Sequence, residues 1–562
     1  MGLCSCAAKI EPPTVALRPD VAVDAPLGLI IWVDGLDGPV LQRLAAQGRL
    51  PNIQHYLIDR GVTVRDAVAS LPTITYANNV SFHTGLLPGH HQITDNKWFD
   101  RSSLVLQAYA HADNYRLVNG DFHAPTMYEY LQGDFTATIL NPCYRGATRH
   151  IDNWMTAGMA WYFGMHEKIN DLTTARLELI SSIANRTGRW PKLIFAYYVT
   201  PDTIGHCAGP ASARCERILC DVDMQIGRMC ESLEKAGLLE RTYLTLVTDH
   251  GFVDTPNEVN LVDFFTRQLG IVTRGKSYEG DPNFEQRQAM LGANRAIITV
   301  GGNRHCAIHL RPGAFWNQRP TAEQIDQFAH TFGQGPAAKN PSGLGELLAS
   351  LPATEIAVVH QSDQSVRIIS RDGASLAQRS VVDGHKVYRY SVLRGQDPLG
   401  YRDNAQAGPL MDGQFHAGPE WFAATLATGK PDVMVQLIEL NDSPRSGDIS
   451  LYARDGWDFD RHAQAGGHGG LTRHEIIVPW YWAGPGLKAG GSIQGARTVD
   501  LMPTMLHLIG RSDRLAGVTL DGQDLSARLL AAEPGMDGPL DARAATRPAA
   551  SAPASAAVVT GE

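Results

Sequence analysis

Three short apolar runs in this chain each give way to an acidic residue. Leu27-Gly-Leu-Ile-Ile-Trp-Val33 stops at Asp34-Gly35, residues 193–199 lead into Asp202, and residues 243–247 lead into Asp249-His250. Continuous apolar runs of this length predict strands covered on both faces. A fourth run, 475–481, follows His468. Residues 40–47 and 51–60 carry helical spacing instead. Strands alternating with helical segments predict an α/β fold built on a doubly wound, mostly parallel sheet. In such sheets ligands bind at the carboxyl ends of the strands, so residues far apart in sequence converge on one edge.

The pattern changes between residues 265 and 430, where 354–371 and 379–394 alternate like antiparallel hairpins with turns at Asp372-Gly373 and Asp383-Gly384. The expected organisation is an unstructured N-terminal segment (1–25), a catalytic core (26–264 and 431–530), an inserted α+β cap subdomain (265–430) and a disordered tail (531–562). Thr498 opens the last helix, which is expected to run to Gly510, and beyond Glu533 the chain is mostly Ala, Pro and Ser with little to bury.

Composition narrows the function. Hydrophobic residues make up 44% of the 562 positions and charged residues only 19%, so a large buried core is available. A formal net charge of −9 argues against a nucleic-acid binder that works by neutralising phosphates. A small phosphorylated substrate is compatible, because metal ions can supply local positive charge. No apolar run approaches the ~20 residues needed to span a bilayer. The start, Met-Gly-Leu-Cys4-Ser-Cys6, lacks the apolar stretch of an export signal. It reads as an unstructured end, with the stump of a lipoprotein signal or an incomplete myristoylation motif as alternatives. Among the eight cysteines, Cys207, Cys215, Cys220 and Cys230 cluster. One or two bridges are conceivable if the protein is exported, but the spacing fits no CxxC zinc site.

Six side chains carry the candidate chemistry. Asp34, Asp202-x-x-x-His206, Asp249-His250 and His468 supply three carboxylates and three imidazoles, enough to hold two divalent cations and leave positions open for substrate. Asp202 and His206, four apart, share one face of a helical turn. His468 lies in Gly466-Gly-His-Gly-Gly470, a glycine-rich stretch whose flexibility suits a late-arriving ligand. Pro72-Thr-Ile-Thr75 falls between the first ligand and the second and places hydroxyls on a turn.

The motifs together resemble the alkaline phosphatase superfamily and, within it, the nucleotide pyrophosphatase/phosphodiesterase family. Pro72-Thr-Ile-Thr75-Tyr-Ala-Asn78, Thr84-Gly-Leu-Leu-Pro88 and Asp95-Asn96-Lys97 look like its nucleophile region. Val33-Asp34-Gly35, Pro201-Asp202-x-x-Gly205-His206, Thr248-Asp249-His250-Gly251 and Gly467-His468-Gly469 match its metal motifs. The resemblance implies two zinc ions, one held by Asp202, His206 and His468 and the other by Asp34, Asp249 and His250. It implies Thr75 as the nucleophile that forms a covalent phosphothreonine, and Asn96 as a donor to a non-bridging phosphate oxygen. Thr73 is the competing nucleophile, but the family pattern places the reactive residue second in Pro-Thr-x-Thr, as Thr75 is; Thr73 is then a turn former. A periplasmic or secreted location is also implied.

The expected activity is hydrolysis of a phosphodiester or phosphoanhydride bond in a small substrate, a nucleotide or another diester. A phosphomonoesterase or phosphonate hydrolase of the same superfamily is the alternative, and a metal-stabilised binding protein without catalysis is a third. A monoester carries one more negative charge and calls for an added cation, for which Lys97, Arg145 and Arg473 are candidates. The chain departs from the family in the long stretch between His250 and His468 and in Arg473-His474-Glu475. Its leaving-group pocket is therefore expected to be its own. His90 and His91 are expected on the loop surface away from metal. Trp32 and Trp98 are expected to pack, with Trp98 or Tyr76 available to stack on a substrate ring.

Overall fold

The computed structural model describes residues 16–109, 114–152, 154–460 and 464–534. The expected unstructured ends lie largely outside these residues. The three central strands are present and wholly buried, as Leu27–Val33, Leu193–Tyr198 and Thr242–Val247. They run parallel with Leu27–Val33 in the middle, Val33 opposite Tyr198 and Trp32 opposite Val247. This register brings the three carboxyl ends level, so Asp34, Asp202 and Asp249 all emerge at one edge.

Thr136–Ile139 and Arg149–Ile151 extend the parallel block on one side. On the other, Trp480–Ala483 pairs antiparallel with Thr242–Val247, and Gly61–Val68 pairs antiparallel with Trp480–Ala483 and parallel with Gly491–Arg497. The run at 475–481 differs from the expected strand. Arg473–Ile476 is a helical turn, and the strand after it is divided at Pro479, which has no N–H for the ladder.

Alternate residues of a strand face opposite sides, and both sides are covered. Leu29, Ile31 and Val33 cluster with apolar residues of the helices Gly38–Ala46, His166–Thr187 and Ala213–Lys235. Ile30 and Trp32 cluster with those of Thr75–Thr84 and Leu501–Leu508. The fold is therefore the doubly wound, mostly parallel α/β class read from the sequence.

A second sheet follows, its strands Ala296–Gly301, His305–Leu310, Ile449–Ala453, Thr354–Ser362, Ser365–Ser370, Gly373–Val382 and His385–Gly395 neighbouring in that order. At the Asp383-Gly384 turn both residues have positive φ, 51° and 80°, as a type I′ hairpin demands. Ile449–Ala453 falls outside the expected 265–430 insertion, yet it pairs in the middle of this sheet with His305–Leu310 and Thr354–Ser362. One face of the sheet packs under the helices Ala322–Phe332 and Leu344–Ala349. The other buries Ile356 and Ile368 with Val433–Leu440 and with Leu71 and Leu471, which adjoin the segments carrying Thr75 and His468.

His90 and His91 do not lie on a loop surface. His91 is buried with Nε2 3.0 Å from Ser81 Oγ. His90 sits among Asp521, Glu439 and Asp442, with Arg379 and Lys386 on the same carboxylates. Burial alone would lower the His90 imidazole, but Asp442, Asp521 and Glu439 outweigh it and push it up to about 11. With a folded value above the ordinary 6.5, the stabilisation is complete below about pH 6.5 and lost as pH climbs toward 11. His90→Gln should therefore cost about 2 kcal/mol at about pH 6. Paired melting curves should show the gap to wild type narrowing at about pH 10.

Candidate active site

The six acid and imidazole side chains gather at the carboxyl edge of the central strands. His206 Nε2 and His468 Nε2 lie 3.4 and 3.5 Å from Asp202 Oδ1. His250 Nε2 lies 3.2 Å from Asp249 Oδ2, 3.5 Å from Asp34 Oδ1 and 4.0 Å from Asp202 Oδ1. Two triads have ligand atoms within 4.8 Å of one another, Asp202 with His206 and His468, and Asp34 with Asp202 and His250. Asp202 thus stands between the two groups. The helix Thr200–Ala208 puts Asp202 and His206 one turn apart.

His468 is not on a loose loop. It is 1% exposed, its N–H donates to Gly302 O at 2.8 Å, and its Nδ1 lies 2.8 Å from Thr73 O. The other two imidazoles are oriented in the same manner, with His206 Nδ1 3.1 Å from Gly466 O and His250 Nδ1 3.1 Å from Gly251 O. A carbonyl only accepts, so each Nδ1 carries a hydrogen, and the neutral form of each ring presents its Nε2 lone pair to the site. An outer hydrogen bond of this kind is what fixes a histidine that ligates a metal.

The carboxylates complete the donor set. Asp34 Oδ1, Asp202 Oδ1 and Asp249 Oδ2 are buried and have no hydrogen-bond partner. Burial, then the charges of Asp249 and Asp202, hold the Asp34 carboxyl well above its ordinary range. Asp249 is likewise raised by burial, with Asp202 adding to it. Burial acts in the same sense on Asp202, but His206 and the other imidazoles outweigh it and hold that carboxyl low. Three bare lone pairs and three unpartnered buried oxygens in one place fit divalent cations.

Thr75 opens the helix Thr75–Thr84, and its Oγ1 lies 3.3 Å from His250 Nε2. The first-turn amides of such a helix favour an anion. Asn96 Oδ1 accepts from the Tyr76 N–H at 2.9 Å, which ties the asparagine to the residue after Thr75. Thr73 is used otherwise. Its hydroxyl bonds Gly470 O at 3.2 Å and accepts from the Gly469 N–H at 3.1 Å, so it secures the strand end bearing His468.

Two site residues had no motif to announce them. Tyr197 donates its hydroxyl to Asp34 Oδ2 while Trp32 stacks on its ring at 3.9 Å. Phe252 is buried with its ring centroid 4.9 Å from His206 and 5.3 Å from His468, an apolar floor beneath the imidazoles. The continuous apolar run alone placed Tyr197 within a strand, and nothing local distinguished Phe252. Trp98 is buried under Arg445, 3.9 Å from its centroid, so it packs rather than stacks on substrate. The Cys207, Cys215, Cys220 and Cys230 thiols are all free.

Sheet order and site together have the build of an alkaline phosphatase-like α/β protein. Murine ectonucleotide pyrophosphatase/phosphodiesterase 5 superimposes with a TM-score of 0.54 at 15% identity, covering 90% of this chain and 99% of that one. Residues 29–313 match the sequence model of the type I phosphodiesterase/nucleotide pyrophosphatase family, and the chain belongs to that family. An uncharacterised pyrophosphatase/phosphodiesterase of Schizosaccharomyces pombe is 27% identical over 245 residues, 40% of this chain and 45% of that protein. A bis(5'-adenosyl)-triphosphatase of Xenopus laevis is 23% identical over 259 residues, 45% of this chain and 52% of that protein. The chain thus spans about half the length of these two curated relatives.

Proposed function

We propose that the protein hydrolyses a phosphodiester or phosphoanhydride bond through a covalent phosphothreonine at Thr75, with two zinc ions as cofactors. The observation that carries this reading is the position of the Thr75 hydroxyl, 3.3 Å from His250 Nε2, at a helix start and beside six converging ligand side chains. Asp202, His206 and His468 would hold one cation, and Asp34, Asp249 and His250 the other. When bound, the cations favour the threonine alkoxide and offset charge on the departing oxygen. Thr75 Oγ1 attacks phosphorus, the P–O bond to the leaving group breaks, and water then hydrolyses the phosphothreonine. The Asn96 amide, turned by the Tyr76 N–H, donates to a non-bridging oxygen. The Phe252 ring keeps water from the back of the imidazoles.

Diester or anhydride chemistry is favoured over monoester chemistry by what the candidate cations do. Arg145 bonds Glu129 and backbone carbonyls, Arg473 bonds Asp66, and Lys97 Nζ donates to Gly275 O. A nucleotide portion in the substrate is supported by the triphosphatase relative. It is also supported by murine ectonucleotide pyrophosphatase/phosphodiesterase 5, solved in an inactive threonine-to-alanine form in complex with AMP. An exported location belongs to the same proposal; among the described residues no helix is long and apolar enough to cross a membrane. Turnover of bis-p-nitrophenyl phosphate, a nucleotide p-nitrophenyl ester and p-nitrophenyl phosphate by zinc-loaded protein tests the assignment. Either diester should exceed the monoester by at least about tenfold in kcat/KM, a difference of ~1.4 kcal/mol in the barrier. Preference for the monoester would reverse it in favour of a phosphatase.

A further inference from the structure

One tight turn of the second sheet touches both halves of the site. It joins Ala296–Gly301 to His305–Leu310, and Gly302 and Asn303 both have positive φ, 54° and 71°. Its backbone grips the His468 segment from two sides: His468 N–H donates to Gly302 O at 2.8 Å and Arg304 N–H donates to His468 O at 3.1 Å. A Cβ on Gly302 would come within 2.6 Å of His468 Nδ1 and 2.5 Å of its carbonyl oxygen, so only glycine lets the turn lie this close.

Arg304 extends the grip. Its guanidinium is fully buried and donates to Glu475 Oε1 and Oε2 at 2.8 and 3.2 Å and to the carbonyls of Ala453, Arg454 and Trp457. All five of its N–H donors are thereby used. Glu475 in turn accepts from the Gly470 N–H at 2.7 Å, two residues beyond His468.

The next residue reaches the other half. His305 Nδ1 lies 2.8 Å from Asp95 Oδ2, both side chains being almost wholly buried. A Cβ on Gly301 would stand 1.8 Å from Asp95 Oδ1. Asp95 precedes Asn96, whose Oδ1 accepts from the Tyr76 N–H. Contacts from Gly302 and Arg304 therefore run from one turn to the His468 backbone, and a contact from His305 runs to Asp95, the residue before Asn96.

We propose that the Gly301–His305 turn is a positioning clamp for the reaction. Arg304 fixes the distance of His468 from Asp202, and His305, through Asp95, fixes the Asn96 amide relative to Thr75. The inserted sheet is then a working part of the site rather than a detachable cover. This rests on the proposed two-zinc hydrolysis, and the two halves of the clamp separate in their effects.

The test uses the full chain with four substitutions, each followed by zinc affinity, kcat, KM and melting temperature. Arg304→Gln should weaken zinc binding about 10- to 100-fold, as loss of an outer partner does; Glu475→Gln should do the same and serves if Arg304→Gln does not fold. His305→Gln should keep both zinc equivalents and the KM of wild type while kcat falls about 10- to 100-fold, the effect of a misplaced reacting group. Phe328→Ala, in the sheet's own apolar core, should lower the melting temperature without moving zinc affinity or kcat. The clamp is refuted if Arg304→Gln and Glu475→Gln bind zinc like wild type. It is equally refuted if Phe328→Ala reproduces the zinc and kcat losses, since general destabilisation would then explain them. Absence of zinc binding and turnover in the wild-type chain would instead overturn the proposed function.

Discussion

Thr75→Ala should abolish turnover of every ester while leaving zinc binding intact. The Thr75 hydroxyl lies 3.3 Å from His250 Nε2, whereas the Thr73 hydroxyl is occupied by the Gly469 and Gly470 backbone. Removing a covalent nucleophile removes the chemical step itself, and losses of about 10⁴-fold or more are usual. Thr75→Ser restores an attacking oxygen and should recover much of the rate. Thr73→Val should act differently, loosening the His468 segment and lowering zinc affinity before it lowers the intrinsic rate. Rapid quenching followed by mass spectrometry should find phosphate on Thr75 in wild type and nowhere in Thr75→Ala. A phosphorylated peptide carrying Thr73 instead would reassign the nucleophile.

Asp249→Asn should have effects of opposite sign with and without zinc. Asp34 and Asp249 are buried together; burial raises both carboxyls, with the charges of Asp249 and Asp202 adding at Asp34 and that of Asp202 at Asp249. In the zinc-free protein that repulsion opposes folding, so converting one acid to an amide should raise the melting temperature. With zinc, wild type gains RT ln(1 + [Zn]/Kd), about 2.7 kcal/mol at a hundredfold excess over Kd. The variant should lose most of that gain and nearly all activity. Calorimetry across a zinc titration reads both signs at once. If Asp249→Asn kept the full zinc-dependent increment, Asp249 would not be a ligand.

The fold was legible because its central strands are buried on both faces. Leu27–Val33 is apolar throughout and Thr242–Val247 is interrupted only by Thr242 and Thr245, and such runs are hard to mistake. Asp34 and Asp249 stood out for the same reason, as acids set directly at the ends of those runs. The strand at 477–483 was less legible because Pro479 divides it, and its antiparallel pairing leaves no local trace. Ile449–Ala453 could not be assigned to the second sheet, since its partners, His305–Leu310 and Thr354–Ser362, lie far upstream. The hold on His468 was hidden likewise: Gly466 to Gly470 reads as a flexible loop, while the contacts that fix it come from Thr73 and Gly302. His90 and His91 looked like surface loop residues because the carboxylates around His90, Glu439, Asp442 and Asp521, arrive from two segments far along the chain.

The most direct test of the central claim is anomalous diffraction at the zinc edge from crystals of the zinc-loaded protein. Two peaks are expected, one bounded by Asp202, His206 and His468 and the other by Asp34, Asp249 and His250, with Thr75 Oγ1 facing the second. A single peak, or none within reach of these side chains, would contradict it.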